Sequence, residues 1–123
     1  MYELSGKRIL VMEQQAMLAQ FLTDMLGDLN CRVVGPATRV PQALALLVEN
    51  DVEAAILNWE LGDESSSVVA EELLRRGIPW AFASSRRTSD LARRYPDAPL
   101  LTKPFASAHV QRVLEQLLMP AIQ

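Results

Sequence analysis

The sequence predicts an α/β protein: one parallel five-stranded sheet with helices on both faces. Three observations predict it. Short apolar runs such as Ile9-Leu10-Val11-Met12 and Ala54-Ala55-Ile56-Leu57 alternate with longer segments whose apolar residues recur every three or four positions. The connections between them are short, and that alternation calls for parallel pairing with right-handed crossovers. The run at 54–57 stops at a polar residue, Asn58, and then breaks into a Gly62-Asp63 turn. A fully buried strand ends in this way at the carboxyl edge of such a sheet, where open α/β folds place their chemistry.

The chain has 123 residues, 50% of them hydrophobic and 22% charged. That suits a single domain over 1–123 with one core, needing neither disulfides nor a structural metal. No apolar run approaches the roughly 18 residues that span a bilayer, and the N-terminus lacks a basic-then-apolar signal pattern. Cys31 is the one cysteine, which fits a reducing, cytoplasmic setting. The net charge of −3 conceals an asymmetry: residues 1–74 hold four basic and twelve acidic side chains, and residues 75–123 hold eight and three.

The first strand, Ile9–Met12, ends at Glu13-Gln14-Gln15. An amphipathic helix follows to Leu29, with Leu18, Phe21, Leu22, Met25 and Leu29 inward and Met17 also in the core. Cys31-Arg32-Val33-Val34-Gly35 is the second strand, closed by Gly35-Pro36, with Cys31 a small core residue. Pro41 suits the first turn of the second helix, where its missing N–H costs nothing. Val40, Ala43, Leu44, Leu47 and Val48 face inward there. After the central strand, a third helix runs from about Ser65/Ser66, its expected caps, to Arg76, with Glu71 and Glu72 in water and Gly77 as its stop. Pro79–Ala83 is the fourth strand, a short helix spans about Thr88 to Arg94, and Pro99–Thr102 is the fifth strand. Ser107 is expected to cap the last helix, with Val110, Val113, Leu114, Leu117 and Leu118 inward and Pro120 ending it. His109 falls on its outer side. Trp59, next to Asn58, is read either as exposed at a binding surface or as a loop anchor packed on its own domain.

At the carboxyl edge this arrangement collects Glu13 and Gln14, Asn58, Ser84 and Lys103-Pro104. Acids to hold a divalent cation, a central carboxylate, a hydroxyl and a lysine would outline a phosphoryl-transfer site. The motifs Ile9–Glu13, Gly35-Pro36-Ala37, Ile56-Leu57-Asn58, Gly77-Ile78-Pro79, Phe82-Ala83-Ser84 and Leu101-Thr102-Lys103-Pro104-Phe105 together resemble the receiver domain of bacterial two-component response regulators, especially the stand-alone kind. The resemblance covers about residues 7–118. It implies a flavodoxin-like (βα)5 doubly wound sandwich with strand order 2-1-3-4-5, and a cis bond between Lys103 and Pro104.

The resemblance also shows what is changed. The family's phosphoacceptor is an aspartate, and here it is Asn58; the paired acids of the first strand are reduced to Glu13 with Gln14. An amide is a very poor nucleophile and brings no charge to a cation. What remains of the metal site (Glu13, Gln14, Asn58 and the Glu60 carbonyl) is expected to bind Mg²⁺ weakly or not at all, and no cofactor is expected. Ser84 and Lys103 stand at the family's phosphoryl-reading positions, and Leu100 replaces its switching aromatic residue. Lys103 therefore needs a partner, expected to be Glu13 or the Asn58 side-chain carbonyl.

The expected function is a non-enzymatic pseudo-receiver acting by phosphorylation-independent protein–protein interaction. Its partner would be a signalling protein such as a histidine kinase or another regulator, or a second copy. With no output segment after Ile122, its effect is expected in trans. Arg86, Arg87, Arg93, Arg94 and Leu100 are the candidate interaction surface. Arg86-Arg87 is the most suggestive pair, because positive charge just before a helix N-terminus is unfavourable. The alternative is a receiver that keeps weak phosphorylation, or one gated by a small anion at Ser84/Lys103. Nucleic acid and membrane partners are not expected, given the negative charge and the lack of a recognition helix or apolar span.

Overall fold

A computed structural model of the chain describes residues 4–59, 64–85 and 93–119. Its strands are β1 (Arg8–Met12), β2 (Arg32–Ala37), β3 (Ala54–Asn58), β4 (Trp80–Ser84) and β5 (Leu100–Thr102). The described helices are α1 (Ala16–Asp28), α2 (Val40–Glu49), α3 (Glu64–Arg76) and, last in the chain, α4 (Ser107–Leu118). The strands pair in parallel in the order β2-β1-β3-β4-β5. This is the flavodoxin-like arrangement expected from the sequence.

Alternation along each buried strand divides the core in two. Leu10, Met12, Ala55 and Leu57 point to the layer that holds Ala43 and Leu47 of α2 and Val69, Ala70 and Leu73 of α3. Ile9, Val11, Ala54 and Ile56 point to the other layer, with Leu22 and Leu26 of α1 and Val110, Val113 and Leu114 of α4. Both faces being covered explains why these strands read as unbroken apolar runs. Each fully buried aliphatic side chain contributes roughly 1.5–3 kcal/mol of transfer free energy.

Several expectations are corrected. The buried face of α1 is Ala19, Leu22 and Leu26; Leu18, Met25 and Leu29 are half-buried flanks, while Phe21 and Met17 are exposed. In α2, Val48 is exposed, because only Ala43 and Leu47 lie under the helix axis. β2 does not close at Gly35-Pro36 but continues to Ala37, with its register shifting between Leu10 and Met12 of β1. It is an edge strand, so the missing Pro36 N–H forfeits no ladder bond. Gly35 has φ +104°, and a Cβ there would lie 2.7 Å from the Ala37 nitrogen and 3.0 Å from the Val11 oxygen. Only glycine fits.

The serines do not cap α3, which already begins at Glu64, and Ser66 lies within its first turn. The helix does stop at Gly77, at φ +70°, with the Ile78 N–H donating to the Leu73 carbonyl at 2.9 Å. In α4 the cap position belongs to Ala106, without a side-chain bond, and Ser107 is the first helical residue. His109 is half-buried rather than outermost. Cys31 is buried, its thiol donating to the Leu4 carbonyl at 3.5 Å, and burial raises its pKa. The short helix expected over Thr88 to Arg94 lies mostly outside the described residues, as does Pro120; Arg93 and Arg94 are helical.

Candidate functional site

The site is built where β1 and β3 end side by side. The ladder carries Met12 opposite Leu57, so the next residue of each strand end, Glu13 and Asn58, emerges at the same edge. Glu13 is held there by its own N–H, which donates to the Ala37 carbonyl at 2.9 Å. From the other side, β4 ends at Ser84, whose carbonyl accepts the Lys103 N–H at 2.8 Å. That bond brings the lysine, just past β5, back over the strand ends. The Lys103–Pro104 peptide is cis, as expected, and so is Gly35–Pro36.

Lys103 does not point to solvent. Its ammonium donates to Asn58 Oδ1 at 2.6 Å and to Glu13 Oε1 at 3.1 Å. Glu13 is fully buried and the lysine side chain is only 8% exposed. Both candidate partners therefore hold the lysine at once. A buried ion pair is retained only when its remaining oxygens and protons are satisfied. Here Glu13 Oε2 accepts the Gln15 N–H at 3.0 Å, so both carboxylate oxygens are engaged.

Asn58 is also used at both ends. Its Nδ2 donates to Gln14 Oε1 at 2.5 Å, and its backbone carbonyl accepts the Ser66 hydroxyl. The amide orientation follows from chemistry. An ammonium has only donors, so the atom facing Lys103 must be the carbonyl oxygen, leaving the NH₂ for Gln14. The two residues that distinguish this chain from an acidic site, Gln14 and Asn58, are thus bonded to each other. Ser84 is buried beside them. No group of three or more His, Cys, Asp or Glu side chains with metal-binding spacing occurs among the described residues.

The remaining sequence-predicted residues fall elsewhere. Glu60, Arg86 and Arg87 lie outside the described residues. Arg93 and Arg94 are exposed, with the Arg94 guanidinium 5.5 Å above the Tyr95 ring. Leu100 is half-buried and packs against the α2/α3 core. Trp59 is not exposed but 7% accessible, and its ring meets Phe82 edge-on at 5.4 Å. It anchors the strand end to the core.

Two contacts escaped the sequence. The Ser66 hydroxyl reaches back eight residues to Asn58, which its place in the first turn of the following helix hints at. The Tyr95 hydroxyl donates to Glu71 at 2.8 Å across 24 residues, and no local pattern announces it.

No family model matches the sequence, and no curated protein matches it. Solved structures do. SdrG from Pseudomonas melonis Fr1, in its BeF3-activated conformation in solution, is 36% identical, with a TM-score of 0.79 over 94% of this chain and 98% of SdrG. The response regulator PhyR from Brucella abortus is 26% identical, with a TM-score of 0.78 over 94% of this chain; the chain spans 49% of PhyR. The non-phosphorylated receiver domain of HemR from Leptospira biflexa is 22% identical and shares the fold, with a TM-score of 0.80.

Proposed function

The chain belongs to the response-regulator receiver domains, and from that premise we propose that it signals without being phosphorylated, by binding other proteins. One observation carries the reading: the amide at the strand-three edge is bonded at both ends, to Lys103 and to Gln14. A neutral amide is a very poor nucleophile. Its nearest carboxylate, Glu13, already neutralises the lysine and accepts a backbone N–H.

The same residues do not fit Mg²⁺. That ion needs near-octahedral oxygens and usually one or two carboxylates, and it sheds water reluctantly. Here it would meet one carboxylate with both oxygens occupied and two neutral amides. An anion at Ser84/Lys103 would likewise have to displace Glu13 from the ammonium. Ser84 and Lys103 are on this reading remnants of a phosphoryl-binding pair, kept because they close the pocket.

The partner proposed is a signalling protein such as a histidine kinase or another regulator, or a second copy of the chain, met in the cytoplasm. No described helix is long and apolar enough to cross a membrane. A non-enzymatic role follows from the absence of a nucleophile in this reading. The test is intact-mass measurement after incubation with acetyl phosphate and Mg²⁺. An unchanged mass is expected; a gain of one phosphoryl group would overturn the proposal, and the modified residue would then be mapped.

A further inference from the structure

Four aromatic rings line up behind the site. Trp59 meets Phe82 at 5.4 Å, Phe82 meets Trp80 at 6.1 Å and Tyr95 at 5.3 Å, and Trp80 meets Tyr95 at 5.7 Å. Tyr95 is the outermost member and the only one not on or beside β3 or β4. Its ring is buried, and its hydroxyl donates to Glu71 of α3, with the Ser67 hydroxyl of the same helix also beside it. Glu71 is itself exposed. The Ala98 N–H donates to the Tyr95 carbonyl at 3.2 Å, making 95–98 a compact turn.

Something opposes this closed arrangement. The Trp80 indole N–H is buried and has no hydrogen-bond partner among the described residues. A buried donor without an acceptor costs free energy that contact with water would recover. Trp80 also borders two shallow cavities of about 180 and 220 Å³, both of which Leu74, Asp97 and Ala98 line as well. Tyr95 lines the second.

We propose that Tyr95 is a latch: its hydrogen bond to Glu71 holds the 95–98 turn closed over Trp80, and its release joins the two cavities and hydrates the Trp80 N–H. The Glu71 bond and the packing of the ring on Trp80 and Phe82 favour the closed state, and the unsatisfied Trp80 donor favours the open one. A partner that binds the open state better shifts the population toward it. Burial, then the Glu71 carboxylate, raise the Tyr95 pKa, so the phenol keeps its donor proton at neutral pH. A cationic group on a partner is suited to open the latch, because it competes with the phenol for the same exposed Glu71 carboxylate.

The test is hydrogen exchange by NMR on the whole chain, read at the Trp80 indole N–H and the Ala98 amide. Tyr95→Phe keeps the ring and removes the bond. Both protons are expected to exchange about five-fold faster, the Boltzmann factor of one net hydrogen bond, while Leu22 and Leu26 amides in α1 stay unchanged. Glu71→Leu should give the same acceleration, the double variant no more, and Glu71→Gln, which still accepts, close to none. Equal acceleration in α1 would mean global destabilisation and overturn the proposal. So would unchanged exchange at Trp80 and Ala98, or additive effects of the two substitutions.

Discussion

Lys103→Met removes the ammonium that sits between Glu13 and Asn58 while keeping most of the side-chain volume. Three consequences follow from the geometry. Glu13, fully buried, loses its 3.1 Å ion pair and keeps, among the described residues, the Gln15 N–H. Asn58 Oδ1 loses its 2.6 Å donor. A thioether gains nothing from either oxygen. Removing one member of a buried pair typically costs about 3–5 kcal/mol, chiefly because the other charge is left uncompensated. A chain of this size is expected to have roughly 5–15 kcal/mol in all, so the variant should fold but with a clearly lowered urea midpoint. Glu13→Gln should cost a similar amount, since it leaves the lysine's charge uncompensated and turns an amide NH₂ toward the Gln15 N–H. The double variant Glu13→Gln/Lys103→Met leaves no buried charge and is expected to be less damaged than Lys103→Met alone. Urea unfolding followed by tryptophan fluorescence measures all three. A cost below about 1 kcal/mol for Lys103→Met is the value of an exposed pair, and it would refute the claim that the lysine closes the pocket. A double variant no more stable than Lys103→Met would refute the charge-compensation argument even if the lysine is buried.

Other outcomes follow from the packing. Phe82→Ala, which removes the ring shared by Trp59, Trp80 and Tyr95, should cost about 3–5 kcal/mol in the same assay. Met17→Ser, at a position 71% exposed, should stay within about 0.5 kcal/mol. Gly35→Ala should cost more than about 2 kcal/mol, because it combines a positive φ with a Cβ pressed on backbone atoms that cannot swing away. Glu72 is held at a pKa of about 2 by hydrogen bonds from Arg75 and then Arg76. Its folded pKa is depressed, so whatever the contact contributes is present above the ordinary carboxylate pKa and lost as pH falls through about 2. NMR titration should find that low value in dilute buffer and a rise toward the ordinary one in concentrated salt, since the pair is exposed to solvent screening.

The site was largely legible before the fold was seen. An apolar run ending at Asn58, a second ending at Glu13, and a lysine-proline after a third place three polar groups at one edge once the strands are parallel. Burial of the helices was less legible, for a definite reason. In α1 the apolar spacing takes in Leu18, Phe21, Leu22, Met25 and Leu29, but the face turned inward is centred on Leu22 and flanked by Ala19 and Leu26. Alanine carries little hydrophobic signal, so the stripe was displaced by part of a turn. Trp59 reads as either a binding surface or a packed anchor, and the second holds: Ala55, Leu57 and Trp59 follow a period of two onto the same core. The Gly35-Pro36 stop misled because proline marks an end only where its N–H would be needed, and on an edge strand it is not. Ser66 looked like a cap because hydroxyls favour that position; its actual acceptor, the Asn58 carbonyl, depends on how the loop returns. Tyr95 finding Glu71 is a purely tertiary event.

The Glu13–Lys103 pair has a further consequence. Together the two side chains carry no net charge, and the amides of Gln14 and Asn58 add none. On the proposed reading, a pocket that is already neutral gives an incoming dianion or dication little to compensate, and its electrostatic state does not track the supply of either. If phosphoryl chemistry is absent, the chain presents its partners with one fixed pocket, and the quantity left to vary is how much of the chain there is. Information would then reside in the ratio of this protein to its partners, set by synthesis and turnover, rather than in a modification that comes and goes.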